Sequence, residues 1–472
     1  MKRFGMMIAI LLMAVYVSAE VKYIFYFIGD GMGANQVLSA EMYRSTAQGQ
    51  ALGRVQTLMS QMPYSGQIST YSASNGITDS AAAGTCLASG HKTNNGTLGL
   101  NAQGDTIYSI ATELKKQGWG VGIMTSVAID HATPGAFYAH VKDRGAYYQI
   151  GSQLSESGFD FFGGAGFHHP QGKNDDSRNL YHIAEEKGYR IAWGKEQAQD
   201  ILSYSDAGDK MLMVQQSDFP GDKHGDNLRY RIDRKEGDLT LAQIVETAIP
   251  FLEKRYERFF MMVEGGMIDY ASHSNDARTA IEEVWDMNEA LQHAYTFYLE
   301  HPDETLILIT ADHETGGMAL GNSDYTLHFD LLAQQKCSSW VLSDLFTQLF
   351  KNNAAPTWEQ VQAIYREQLG FWSAVSLSDK EEQSLYSIYK QAVAQKSKDT
   401  KTMYKSIHQL GDAGIQMLNK KARVGWTSHS HTAHAVLVFA IGLARSVSAD
   451  GMTTQRLYLL FAKRLNRFII SS

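Results

Sequence analysis

Apolar runs of strand length recur along the chain, and polar residues follow most of them. Residues 21–28 form the first run, which ends in Gly29-Asp30-Gly31-Met32-Gly33. Residues 121–125 lead to Asp130-His131, 259–263 to Glu264, and 306–310 to Asp312-His313, while 435–439 follow His431. Continuous apolar strands of this kind are buried on both faces. Helical stretches such as 276–300 lie between them. Strand alternating with helix predicts an α/β fold, a three-layer α/β/α sandwich around a large, mostly parallel central sheet. Ligands of such sheets bind beyond the carboxyl ends of the strands. Four of the five runs carry potential ligating residues just past that end.

Residues 325–425 have a different texture, polar and rich in Gln, Lys and Ser. They read as helices over 358–369, 380–396 and 401–419, a helical insertion or cap within a single domain spanning 20–472. At the other end, Lys2 and Arg3 precede an apolar run over 4–17 and the small residues Val17-Ser18-Ala19. This pattern predicts an export signal over 1–19, cleaved after Ala19, and a secreted or periplasmic protein. The run is short for a membrane span of about 20 residues. An Arg456–Phe461 stretch reads as a docking helix rather than a membrane contact.

Composition narrows the chemistry. With 44% hydrophobic and 19% charged residues, the chain can bury a core. Its net charge of −8 becomes −10 without Lys2 and Arg3, 40 basic residues against 50 acidic. Such a balance argues against nucleic acid as a partner. An anionic substrate would need a local positive source, which bound cations would supply. Two cysteines, Cys86 and Cys337, allow one disulfide or two buried thiols. They cannot build a thiolate zinc cluster, so a zinc site would use histidines and carboxylates.

Several motifs carry this chemistry, each with a plainer alternative. In Thr78-Asp79-Ser80-Ala81-Ala82-Ala83-Gly84-Thr85, small residues follow the serine, so Ser80 falls at a helix N-terminus, where N–H groups favour an anion. Asp79 or Ser80 could equally be an ordinary N-cap. Asp269 and His273, four apart, would share one helix face and suit one metal, or else form a surface pair. Asp312-His313 sits directly after a strand, either aimed at one site or simply a loop pair. The segment Thr427–His434 offers His429, His431 and His434, not all of which need be ligands. His131, Thr133 and Arg144 add an imidazole, a hydroxyl and a guanidinium able to grip two phosphate oxygens, or, for Arg144, simply an arginine on a helix surface.

Taken together, Gly29–Gly33, Thr78–Ala82, Gly90–Gly96, His131–Pro134, Val263–Gly265 with Asp269 and His273, and Ala311–His313 resemble the alkaline phosphatases in kind and in order. The resemblance runs from about residue 21 to 320 and resumes near 425. It implies hydrolysis of small-molecule phosphate monoesters through a phosphoserine on Ser80, with Arg144 binding phosphate. It implies two Zn²⁺ and one Mg²⁺: Asp269, His273 and His431 at the first zinc; Asp30, Asp312 and His313 at the second; and Asp30, Thr133 and Glu264 at the magnesium, with His131 nearby. A homodimer is a further implication. His131 stands where some members carry a carboxylate, and Tyr270 where others have Lys or His. His431 is preferred to His429 for its distance from the last strand. The alternatives are a phosphodiesterase or nucleotide pyrophosphatase of the same superfamily, which typically uses threonine, and a non-catalytic periplasmic phosphate- or metal-binding protein.

Overall fold

A computed structural model describes residues 20–203, 208, 210–215, 227–321, 325–353, 355–394, 398–442 and 452–453. The export segment 1–19 and the Arg456–Phe461 stretch lie outside the described residues. The strands of the main sheet are Tyr23–Gly29 (β1), Tyr64–Ser69 (β2), Gly120–Thr125 (β3), Phe161–Gly164 (β4), Tyr189–Trp193 (β5), Lys210–Val214 (β6), Phe259–Gly265 (β7), Thr305–Ala311 (β8), Val436–Gly442 (β9) and Met452–Thr453 (β10). Their order is β10-β2-β9-β8-β1-β7-β3-β4-β6-β5. Only β9 runs against its neighbours; all other pairings are parallel.

β3, β7 and β8 are buried at every position and β1 at all but its first, so helices must cover both faces. Burying each large apolar side chain here stabilises by about 1.5–3 kcal/mol. Register then places the chemistry. Gly29 pairs with Gly265 on one side and with Ala311 on the other. Thr125 pairs with Glu264. Asp30 and Asp312 therefore leave adjacent strands at one level, and Glu264, the last but one residue of β7, stands close by, opposite Ile28 and Thr125. Because β9 is antiparallel to β8, its start lies at the carboxyl ends of its neighbours. That is why His431, which precedes its strand, arrives at the same edge.

The helices used below are Ala34–Ala47 (α1), Ser80–Ser89 (α2), Leu241–Glu253 (α3), Met267–His273 (α4), Ala277–Glu300 (α5), Ser339–Asn352 (α6), Trp358–Leu369 (α7), Asp379–Val393 (α8) and Gln409–Ala422 (α9). In the 325–425 region, the signals Thr357-x-x-Gln360 and Ser378-x-x-Glu381 form reciprocal capping boxes that start α7 and α8. The helix expected over 401–419 is corrected. It begins only at Gln409, because Thr400–Lys401 and Ser406–Ile407 pair as an antiparallel hairpin. The Thr402 and Lys405 backbones close its turn, with Thr402 N–H to Lys405 O at 3.0 Å. Cys86 and Cys337 are both buried, and no disulfide joins them.

Candidate active site

Ser80 is the first residue of α2, and Asp79 is its N-cap, accepting the Ala82 N–H at 3.0 Å. The small residues after Ser80 let α2 pack closely on the helical turn Ala132–Gly135. A Cβ at Gly84 would lie 3.4 Å from Thr133 Cα. Ser80 Oγ is fully buried and 3.2 Å from His313 Nε2.

Around this hydroxyl, three groups of buried donors converge: Asp269 with His273 and His431, Asp30 with Asp312 and His313, and Asp30 with His131 and Glu264. Within each group the ligating atoms lie within 4.8 Å of one another. Asp30 belongs to two groups. Asp269 and His273, four apart on α4, do face one way, with His273 Nε2 3.3 Å from Asp269 Oδ2. His431 Nε2 lies 3.1 Å from His273 Nε2. Thr133 Oγ1 is buried nearby in the turn after His131.

Close approach of these elements depends on Gly31. Its φ of +70° is left-handed, and a Cβ there would sit 2.8 Å from Asp269 Oδ1.

Arg144 joins the same cleft. Its Nη1 lies 3.1 Å from Asp79 Oδ2 and its Nη2 3.3 Å from His131 Nε2. The Gly90–Gly96 segment supports it from behind: Gly96 N–H donates to Asp79 Oδ2 at 3.0 Å, and Arg144 N–H donates to Gly96 O at 2.8 Å.

Other sequence candidates turn away. Asp130 accepts the His168 N–H at 3.0 Å. His429 uses Nδ1 on His273 O, and its own carbonyl meets His273 Nδ1 at 2.6 Å. It orients the histidine of α4 and lies outside the three groups. His434 is exposed, 3.5 Å from Glu314.

The alkaline phosphatase family model matches residues 21–458. The chain belongs to the alkaline phosphatase family. Alkaline phosphatase 4 of Bacillus subtilis is 29% identical over 442 residues, covering 90% of this chain and 84% of that one. The crystal structure of a cold-active alkaline phosphatase from the psychrophile Shewanella sp. superposes with a TM-score of 0.77 at 26% identity, covering 94% of this chain and 99% of the other. The Thermus thermophilus alkaline phosphatase gives 0.77 at 26% identity, over 95% and 92%. The chain is thus a phosphomonoesterase of a metal-dependent family, and among the described residues no helix is long and apolar enough to cross a membrane.

In this alkaline phosphatase, the electrostatics of the cleft call for cations. Asp30 is pushed well above the usual carboxylate range by burial and by Asp312, Asp269 and Glu264. Asp312 is raised by burial and by Asp269, and burial lifts Glu264 to about 7. Both oxygens of Asp30, one each of Asp312 and Glu264, and Nδ1 of His131 have no hydrogen-bond partner. Burial brings His131 down to about 3 and holds His313 well below the usual imidazole range. Neutral imidazoles and crowded, unpartnered carboxylates fit divalent metal ions, whose charge offsets the cost of burying the carboxylates together.

Sequence reasoning missed the residues that hold these donors. Thr125 donates to Glu264, Thr315 to Asp269, and Tyr404 to Asp269 Oδ2 at 2.9 Å. Glu314, beside His313, accepts the Gly317 and Met318 N–H groups and ties its loop together. Thr125 and Glu314 were visible as polar residues beside motif positions. Tyr404 carried no signal at all, coming from a region outside every motif.

Proposed function

We propose that this alkaline phosphatase hydrolyses phosphate monoesters with Ser80 as nucleophile and two Zn²⁺ and one Mg²⁺ as cofactors. Asp269, His273 and His431 would hold one zinc, and Asp30, Asp312 and His313 the other. Asp30, Thr133 and Glu264 would hold the magnesium. His131 accepts Arg144 on Nε2, which leaves Nδ1 as an N–H with no lone pair for an ion, so His131 would not ligate the magnesium directly. Bound there, the ions would stabilise the attacking and leaving oxygens and favour ionisation of the serine hydroxyl and of water.

The observation carrying the reading is Ser80 Oγ, buried at a helix N-terminus and 3.2 Å from a histidine of one donor group. Ser80 Oγ gives up its proton and attacks phosphorus, the bond to the leaving oxygen breaks, that oxygen takes up a proton from solvent to leave as the alcohol, and the phosphoryl group rests on Ser80. Water then attacks phosphorus, the Ser80 Oγ–P bond breaks, and inorganic phosphate leaves. Arg144 meets the non-bridging oxygens with a guanidinium aligned by Asp79.

The chain would work as one α/β domain from residue 20, with 325–425 as a cap. It would be exported by way of residues 1–19 and would act as a homodimer. Initial rates on p-nitrophenyl phosphate and its bis ester test the substrate class, and acid trapping of phosphate on Ser80 tests the mechanism. Monoester turnover should dominate with label on Ser80. Faster bis-ester turnover, or label elsewhere, overturns the reading.

A further inference from the structure

The hairpin between α8 and α9 ends at the donor cluster. Its turn over Thr402–Lys405 is closed twice, by Thr402 N–H to Lys405 O at 3.0 Å and by Lys405 N–H to Thr402 Oγ1 at 3.1 Å. Helices of the 325–425 region hold it on both sides. Lys405 Nζ lies 2.9 Å from Asp344 of α6, and Thr400 Oγ1 donates to Asp412 of α9 at 2.6 Å. Tyr404 projects from this braced turn. Its ring stacks on Tyr270 with centroids 3.5 Å apart and planes 19° from parallel, and it meets the His273 ring edge-on at 5.4 Å. Its hydroxyl donates to Asp269 Oδ2, the oxygen that also faces His273 Nε2. Thr315 donates to the other oxygen, Oδ1.

We propose that Tyr404 is a positioning residue for the Asp269–His273–His431 donor group, and that orienting Asp269 is the task of the hairpin in the 325–425 region. The proposal rests on the metal-binding reading of that group. A ligating carboxylate left to rotate can turn its oxygens away from the positions that would hold an ion. Hydrogen bonds to both oxygens from fixed hydroxyls, one from the loop after β8 and one from the hairpin, stop that rotation. Outer partners of this kind commonly govern metal affinity by about 10–100-fold. The stack on Tyr270 supplies the rigidity, since a ring packed face to face on a buried neighbour cannot swing its hydroxyl away.

Zinc release from the full-length enzyme tests this. Wild type, Tyr404→Phe and Tyr404→Ala are loaded with Zn²⁺ and Mg²⁺ and challenged with a chromophoric zinc chelator. Melting of the metal-free proteins is followed in parallel. Tyr404→Phe keeps the stack and loses only the hydroxyl. It should release one class of zinc at about 10-fold lower chelator concentration, with the remaining zinc and the metal-free melting temperature unchanged. Excess Zn²⁺ should restore its kcat. Release curves that superimpose on wild type overturn the proposal. So does equal weakening of every site together with a lower metal-free melting temperature, in either variant, which would make Tyr404 a structural prop. If wild type takes up no zinc, the metal reading itself fails along with this one. If wild type binds zinc and Tyr404→Phe behaves identically, only the positioning role is lost.

Discussion

Asp79 grips the Ala82 N–H with one oxygen and the Arg144 guanidinium with the other, at 3.0 and 3.1 Å. One carboxylate therefore sets both the first turn of the helix that begins at Ser80 and the direction of the arginine beside it. Asp79→Asn would keep an oxygen for the cap but turn an amide N–H₂ toward Arg144 and the Gly96 N–H, which are donors themselves. Losing a charge-assisted bond costs about 1.5–3 kcal/mol, so KM for a monoester and Ki for phosphate should each rise about tenfold or more. Arg144→Lys should do the same by removing the two-pronged grip. Steady-state kinetics with phosphate as product inhibitor checks both, and an unchanged Ki would show that Arg144 does not meet phosphate.

Ser80→Ala separates turnover from binding. The missing hydroxyl leaves the donor groups and Arg144 in place, so phosphate binding by calorimetry should persist. Turnover should fall by about 10³-fold or more, since among the described residues Ser80 Oγ is the hydroxyl bonded to His313 Nε2. Retained turnover would remove Ser80 from the mechanism.

Removing the metals should cost stability as well as activity. Asp30, Asp312 and Glu264 are fully buried, mutually repelling, and have oxygens without hydrogen-bond partners. Ions that bind the folded chain alone stabilise it by mass action, about 2.7 kcal/mol at a hundred times Kd. Dialysis against a chelator should abolish hydrolysis and lower the melting temperature, and Zn²⁺ with Mg²⁺ should restore both. A melting temperature indifferent to the chelator would mean the carboxylates are held by something else.

What the sequence revealed and what it hid divide along physical lines. Gly29, Gly265 and Ala311 end three parallel strands in register, so motif residues just past those strands had to meet. His431 precedes its strand, and only the reversed direction of β9 explains how it reaches the same edge. A run such as 435–439 reads identically in either direction, so periodicity could not supply that. The polar composition of residues 401–408 predicts helix. The Thr402–Lys405 turn depends on a side-chain hydroxyl bonding its own backbone, which competes with helix at short range. Tyr404 reaches Asp269 across 135 residues, and no local pattern encodes such a contact. Donors were legible because they lie next to strands; their supports were not, because packing of distant segments supplies them.

The two neighbouring histidines before β9 should behave oppositely on substitution. His431 Nε2 faces His273 Nε2 and Asp269 Oδ1, and its Nδ1 is 3.0 Å from Thr78 O, two residues before Ser80. His431→Ala therefore removes a donor from the Asp269 group, and metal analysis should find zinc missing, with kcat falling at ordinary zinc concentrations. His429 offers that group only a backbone oxygen, which survives substitution and still receives His273 Nδ1. His429→Ala loses the bond to His273 O and should lose some stability while keeping full zinc content and most of its kcat. If His429→Ala sheds zinc and His431→Ala does not, the imidazoles have been assigned the wrong way round.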